Sequence, residues 1–257
     1  MADAEAPVFV GVDGCRGGWI AVADHGQDPP RVEIFPTFPA LIAAAGNTAI
    51  VAIDMPIGLP ATIGREGRGP EKAVRLKLGS RRSSVFSVPS RAAIFAGADM
   101  PASGPGRLSA HRYACEVARQ TSDPPRAVSI QAFGLFAKIR EVDAAVTRDG
   151  RVASRVHEAH PELAFATLNG GTPMRHPKKK AGRLHLPGLA ERRALLLRAG
   201  VSEAFFAEPL PKGAGEDDRL DALVLMLVAR RIWYGEAVSH PDPPLTDERG
   251  LRIAIWA

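Results

Sequence analysis

The stretch from Val8 to Ala23 constrains this chain most. An apolar run rich in β-branched residues ends in a lone carboxylate, Asp13, and a turn of small residues leads into a second apolar run. That pattern predicts a strand, a tight turn and a second strand, with Asp13 at the C-terminal lip of the first. A buried strand that ends in an acid cannot hide the charge without a partner. Asp13 therefore either caps the turn, as Asp does beside Gly, or faces a pocket that holds a cation. Both readings stand at this point.

A second acid-terminated run follows. Arg31–Phe35 alternates and predicts a third strand, and Phe38–Ala45 predicts a short Ala-rich helix stopped by Gly46 and Asn47. Ala49–Ile53 is then continuously apolar and closes on Asp54, as expected of a central strand covered on both faces. If the two acid-ended strands are parallel neighbours, Asp13 and Asp54 emerge at one sheet edge. Open α/β sheets place their ligand crevices outside such carboxyl ends.

From Ile63 to about Asp123 the periodicity fades, with Leu108–Gln120 the one helical stretch within it. Between residues 65 and 91 eight Lys or Arg stand against Glu66 and Glu71, a local +6 that exceeds the +5 of all 257 residues. The plain reading is a solvated insertion. The functional one is a phosphate-binding lid, because Arg81, Arg82 and the neighbouring serines suit phosphate oxygens. The positive balance favours an anionic partner. The length suits one domain, residues 1–257, with an insertion at about 63–123. Cys15 and Cys115 lack neighbours at zinc-ligand spacing, which argues against structural zinc. The acidic start predicts no signal peptide, and no apolar run approaches the ~18 residues of a membrane span, so a cytoplasmic protein is expected.

Ser129–Thr147 has the spacing of an amphipathic helix with Ser129 as N-cap. Val152–Glu158 reads as a strand running into acid, and His157, Glu158, His160 and Glu162 crowd together without matching a compact zinc motif. One carboxylate of the two, Glu158 or Glu162, is expected to reach the site. Lys178, Lys179, Lys180 and Arg183 form a second basic patch, and Leu186–Arg198 a helix. Glu216–Arg231 is a long apolar helix with acids at its start. The helix dipole favours acids there in any case, yet Asp218 and Asp221 share a face that continues through Leu225 and Val228 toward a core. A Pro-rich stretch, His240–Pro244, precedes a final strand over Leu251–Trp256.

Three strands, a helix, a strand, an insertion, a helix, a strand and a late acidic helix follow the order of the ribonuclease H-like fold, a mixed α/β sheet flanked by helices. Phosphodiester hydrolysis by two divalent ions ~3.5–4 Å apart needs carboxylates that bridge and flank them. Hard oxygen ligands suit Mg²⁺ or Mn²⁺. Asp13, Asp54, Asp218 and Asp221 are the expected metal ligands, and with Glu158 and Glu162 they form the candidate catalytic set. Arg16, Arg81, Arg82, Lys179 and Lys180 are the candidate substrate-binding residues.

The segments Gly11–Trp19, Ile53–Leu59, His157–Glu162 and Asp217–Ala222 resemble the "domain of unknown function 429" family, and the likeness runs from about Phe9 to Trp256. That family is regarded as predicted nucleases of ribonuclease H-like fold, and Asp218 with Asp221 is also similar to the last-helix acids of RuvC-type Holliday-junction resolvases. The resemblance implies a divalent-metal-dependent nuclease acting on DNA or RNA. Two other classes stay open: a non-catalytic anion- or nucleic-acid-binding protein on the same scaffold, and an actin-like ATPase-type phosphotransferase. Against the latter, the turn after Asp13 carries Cys15, Arg16, Gly17 and Gly18 where small hydroxyl residues would hold phosphates. The oligomeric state is left open, a homodimer included.

Overall fold

The computed structural model describes residues 7–26, 29–100 and 104–257. Strands β1 (Phe9–Cys15), β2 (Gly18–Asp24) and β3 (Arg31–Phe35) lead through helix α1 (Phe38–Ala45) to β4 (Ile50–Ile53). Helices α2 (Pro70–Leu78), α3 (Arg91–Phe95), α4 (Gly104–Gln120), α5 (Ile130–Phe133), α6 (Phe136–Arg148) and α7 (Gly150–Arg155) follow, with a 3₁₀ turn over Gly79–Ser84. Then come β5 (Val156–Glu158), α8 (Pro161–Leu168), the short strands β6 (Lys179–Lys180) and β7 (Arg183–Leu184), α9 (Leu186–Arg198) and α10 (Glu203–Ala207). The chain closes with α11 (Glu216–Trp233), β8 (Ser239–Thr246) and β9 (Arg252–Trp256).

The central sheet is mixed, with five strands in the order β3-β2-β1-β4-β5. The hairpin strands β1, β2 and β3 pair antiparallel, whereas β4 lies parallel to β1 and β5 parallel to β4. Helices cover both faces. Val10, Val12, Trp19, Val51 and Ile53 point to one side, against Phe38 and Leu41 of α1 and Phe136, Ile139 and Val142 of α6. Phe9, Ile20, Val22 and Ala52 point to the other, against α11 and residues of α8 and α9. Among the described residues no helix is long and apolar enough to cross a membrane.

Several boundaries differ from the sequence reading. The amphipathic stretch after Ser129 is two helices, because the chain turns at Gly134, whose amide bonds back to the Ile130 and Gln131 carbonyls. Only the last three residues of Val152–Glu158 are strand; the preceding ones coil into α7, N-capped by the Asp149 side chain. The aperiodic segment after Ile63 holds a helix the pattern concealed, α2, which begins on Pro70. The prolines of 240–244 lie inside β8, at the irregular register between His240 and Leu245, where a missing ladder donor is tolerated.

Candidate functional site

Three elements bring acids to one place. Val12 lies opposite Ile53, and the Asp54 amide donates to the Val12 carbonyl at 3.0 Å, so Asp13 and Asp54 leave adjacent parallel strands at one level. Side chains alternate along a strand. Gly11 and Ala52 face α11, and two residues later Asp13 and Asp54 do the same. The N-terminal end of α11 supplies Asp217, Asp218 and Asp221. A bond from the Gly17 amide to the Gly213 carbonyl, 2.9 Å, ties the loop ahead of this helix to the β1–β2 turn.

The result is a cleft of about 380 Å³. Asp13, Asp54, Glu162, Asp217, Asp218 and Asp221 line it together with Lys178, Lys179, His160, Arg81, Ser83 and Ser84. Some of the acids also serve local structure. One oxygen of Asp13 accepts from the Gly14 amide at 2.7 Å, and Asp218 Oδ2 accepts from the Gly215 amide at 2.8 Å as a helix cap. Turn capping and cleft lining are thus compatible roles for one carboxylate.

Burial and like charge shape the electrostatics. Asp13 is held well above the usual carboxylate range by burial first and then by Asp221 and Asp54. Burial pushes Asp54 up to about 6 and Asp221 up to about 7, both against the pull of Lys178. Asp218 is raised by burial, in spite of its cap hydrogen bond. Burial alone would depress Lys178, but the carboxylates around it, Asp221 foremost, lift it above its ordinary value. Lys178 pairs with Asp221, and Lys179 with Asp217 at 2.5 Å. Asp13, Asp54 and Asp218 form no ion pair among the described residues. Three buried polar atoms on the cleft residues have no hydrogen-bond partner: Asp221 Oδ1, Arg81 Nε and His160 Nδ1.

The family model described as "Protein of unknown function (DUF429)" matches residues 11–246. The chain belongs to the DUF429 family. No curated protein and no solved structure matches it.

Within this DUF429 chain the two candidate glutamates take different places. Glu158 lies opposite Ile53 in the β4–β5 register, which turns its side chain to the sheet face away from Asp54. There its oxygens accept from Arg68 at 2.6 and 3.1 Å, and Oε2 also from the Ile57 amide at 2.8 Å. Glu158 is therefore outside the cleft. Glu162 is in it, but both oxygens accept from Arg192 Nη2, at 2.6 and 2.8 Å.

The basic residues also divide. Arg16 and Lys180 are exposed and do not line the cleft. Arg81 and Arg82 diverge from the 3₁₀ turn. Arg81 enters the cleft, while Arg82 lines a separate groove of about 260 Å³ with Arg65, Arg75 and Arg126. Two cleft residues, Lys178 and Asp217, have only weak signals in the sequence of the DUF429 chain. One is the first of three lysines in a row, the other one of four acids between 216 and 221.

Proposed function

We propose that this chain is a divalent-metal-dependent nuclease of ribonuclease H-like fold that hydrolyses phosphodiester bonds of DNA or RNA. One observation carries the reading: acids from two adjacent parallel strand ends and one helix start meet in a single cleft, and Asp13, Asp54 and Asp218 form no ion pair there among the described residues. The order β3-β2-β1-β4-β5, with acids at the ends of β1 and β4 and at the start of the last helix, supports the fold assignment. In this reading residues 63–123 are a basic insertion on the one domain, nucleic acid is the partner, and the cytoplasm is the place of action.

Among the described residues no group of three or more His, Cys, Asp or Glu forms a ready-made metal site. The chemistry of the donors nevertheless fits a hard cation. The donors are carboxylate oxygens, burial and then their mutual repulsion raise Asp13, and the buried Asp221 Oδ1 lacks any partner. Asp13, Asp54, Asp218 and Asp221 would hold Mg²⁺ or Mn²⁺. Such an ion, when bound, supplies a water of lowered pKa and positive charge against a phosphoryl oxygen.

The remaining residues bind and orient. The Arg81 guanidinium and the Ser83 hydroxyl present donors to a phosphate at the cleft rim, and Ser84 Oγ, which donates to the Arg81 carbonyl at 2.8 Å, holds the turn that carries them. Arg82 continues that basic surface into the neighbouring groove, where the backbone of a longer strand would follow. Arg192 donates to both oxygens of Glu162 and so neutralises that carboxylate beside an incoming anion.

The test is cleavage of labelled DNA, RNA and junction substrates with Mg²⁺, with Mn²⁺ and with chelator. Cleavage is expected only with the ions, and Asp13→Asn is expected to remove it while leaving the circular dichroism spectrum native and the metal-free urea midpoint no lower than that of the wild type. Metal-independent binding without cleavage, unchanged in Asp13→Asn, would replace the nuclease by a nucleic-acid-binding protein.

A further inference from the structure

Lys178 is the least expected member of the cleft. Its side chain is 20% exposed, and it pairs with the nearly buried Asp221 from a position 43 residues away in sequence. It does not reach there as a loose surface lysine. The His185 amide donates to the Lys178 carbonyl at 2.8 Å, and Gly188 of α9 lies so close that a Cβ there would stand 2.0 Å from the Pro177 carbonyl oxygen. Arg192, wholly buried, donates to the His176 carbonyl at 3.0 Å with Nη1 and grips Glu162 with Nη2. The backbone on both sides of Lys178 is therefore fixed by α9.

The surrounding charges have a simple division. Glu162 is neutralised by Arg192, Asp217 by Lys179 and Asp221 by Lys178. Asp13, Asp54 and Asp218 remain, on β1, β4 and α11. Three unpaired carboxylates suit one divalent cation. Two such cations would have to share them with an ammonium group held in the same cleft, and like charges repel more strongly in a buried site than in water.

Building on the nuclease reading above, we infer that Lys178 is a built-in cation: it supplies the second positive centre of the cleft, and the site takes one divalent ion, not two. The ammonium pairs with Asp221 Oδ2 and stands ready to meet a phosphate oxygen, while Asp13, Asp54 and Asp218, with the free Oδ1 of Asp221, hold the ion. A four-carbon-plus-amine reach from a clamped backbone gives this centre a fixed position that a weakly held second ion would lack.

The experiment is Mn²⁺ titration by calorimetry at pH 8 on the full chain, with Lys178→Met and Lys178→Arg beside the wild type. The wild type and Lys178→Arg are expected to bind one equivalent, and Lys178→Met two, because the vacated charge leaves Asp221 Oδ2 free to join a second site. Two equivalents in the wild type would overturn the inference by itself, whether or not the variants fold. So would a single equivalent in a Lys178→Met protein with native circular dichroism. Both of those results leave the metal-dependent reading in place. No Mn²⁺ bound by any of the three proteins would remove that reading, and the inference with it.

Discussion

Gly11 of β1 lies against the backbone of α11 at Ala222, so closely that a Cβ on Gly11 would stand 1.9 Å from the Ala222 carbonyl oxygen and 2.1 Å from the Met226 nitrogen. The contact is backbone on backbone, and neither side can yield by rotating a side chain. It sets the height of the helix above the sheet and hence the approach of Asp218 and Asp221 to Asp13. Gly11→Ala is expected to force the elements apart and to destabilise the protein by about 1–3 kcal/mol, the usual cost of overpacking. The urea midpoint measures the loss. A Gly11→Ala protein as stable as the wild type would mean that this contact does not set the spacing.

The cleft acids make metal-free stability depend on pH in a definite sense. The folded state holds protons on Asp54 up to about 6 and on Asp221 up to about 7, well above an unfolded aspartate. Their favourable contribution is complete below about pH 4 and is lost as pH rises through 6 and 7. His157, lowered to about 3 by burial, acts in the opposite sense below its unfolded value. Comparing variants cancels that term. Asp54→Asn should gain on wild type between about pH 4 and pH 6 and hold its advantage above, read by urea melts in chelator. Saturating Mn²⁺ should reverse the order at pH 8.

Arg192 and Glu162 form a buried pair that α9 and α8 share. Arg192→Met should destabilise the fold by about 3–5 kcal/mol, because it leaves a buried carboxylate without its cation. Glu162→Met in the same protein should recover much of that loss, since the uncompensated charge is then gone. Chemical denaturation of the two single variants and the double variant completes the cycle.

Glu158 separates structure from chemistry. Glu158→Gln should leave Mn²⁺ affinity within about twofold of wild type, because the residue faces away from the cleft. Stability should fall by about 1–3 kcal/mol, since Arg68 loses its charged acceptor in the interior. A calorimetric titration and a thermal melt on one preparation decide both halves.

Arg81 and Arg82, neighbours in sequence, should behave differently. Arg82→Glu should weaken binding of a single-stranded oligonucleotide and lower the slope of log affinity against log salt by about 1, as expected for one lost phosphate contact. Arg81→Glu should also depress the cleavage rate at saturating substrate, because Arg81 lines the cleft itself. Fluorescence anisotropy across a salt series and single-turnover cleavage distinguish the two effects.

The sequence by itself determined the elements that carry the acids. β1 and β4 were legible because each is a continuous apolar run closing on one carboxylate, and α11 because its acids precede an unbroken apolar stretch; run length, caps and apolar spacing are local properties. Only the tertiary structure decided which side chains meet. A register of Ile53 with Glu158 turned that glutamate to the wrong face, although it sits at a strand end just as Asp54 does. Gly134 broke a helix whose apolar period continues on both sides. Of three consecutive lysines, Lys178 points into the cleft, Lys179 pairs with Asp217 and Lys180 is exposed. No local pattern separates them, because what selects Lys178 is the seating of α9 on Pro177 through Gly188, a contact between segments that the chain brings together only when it folds.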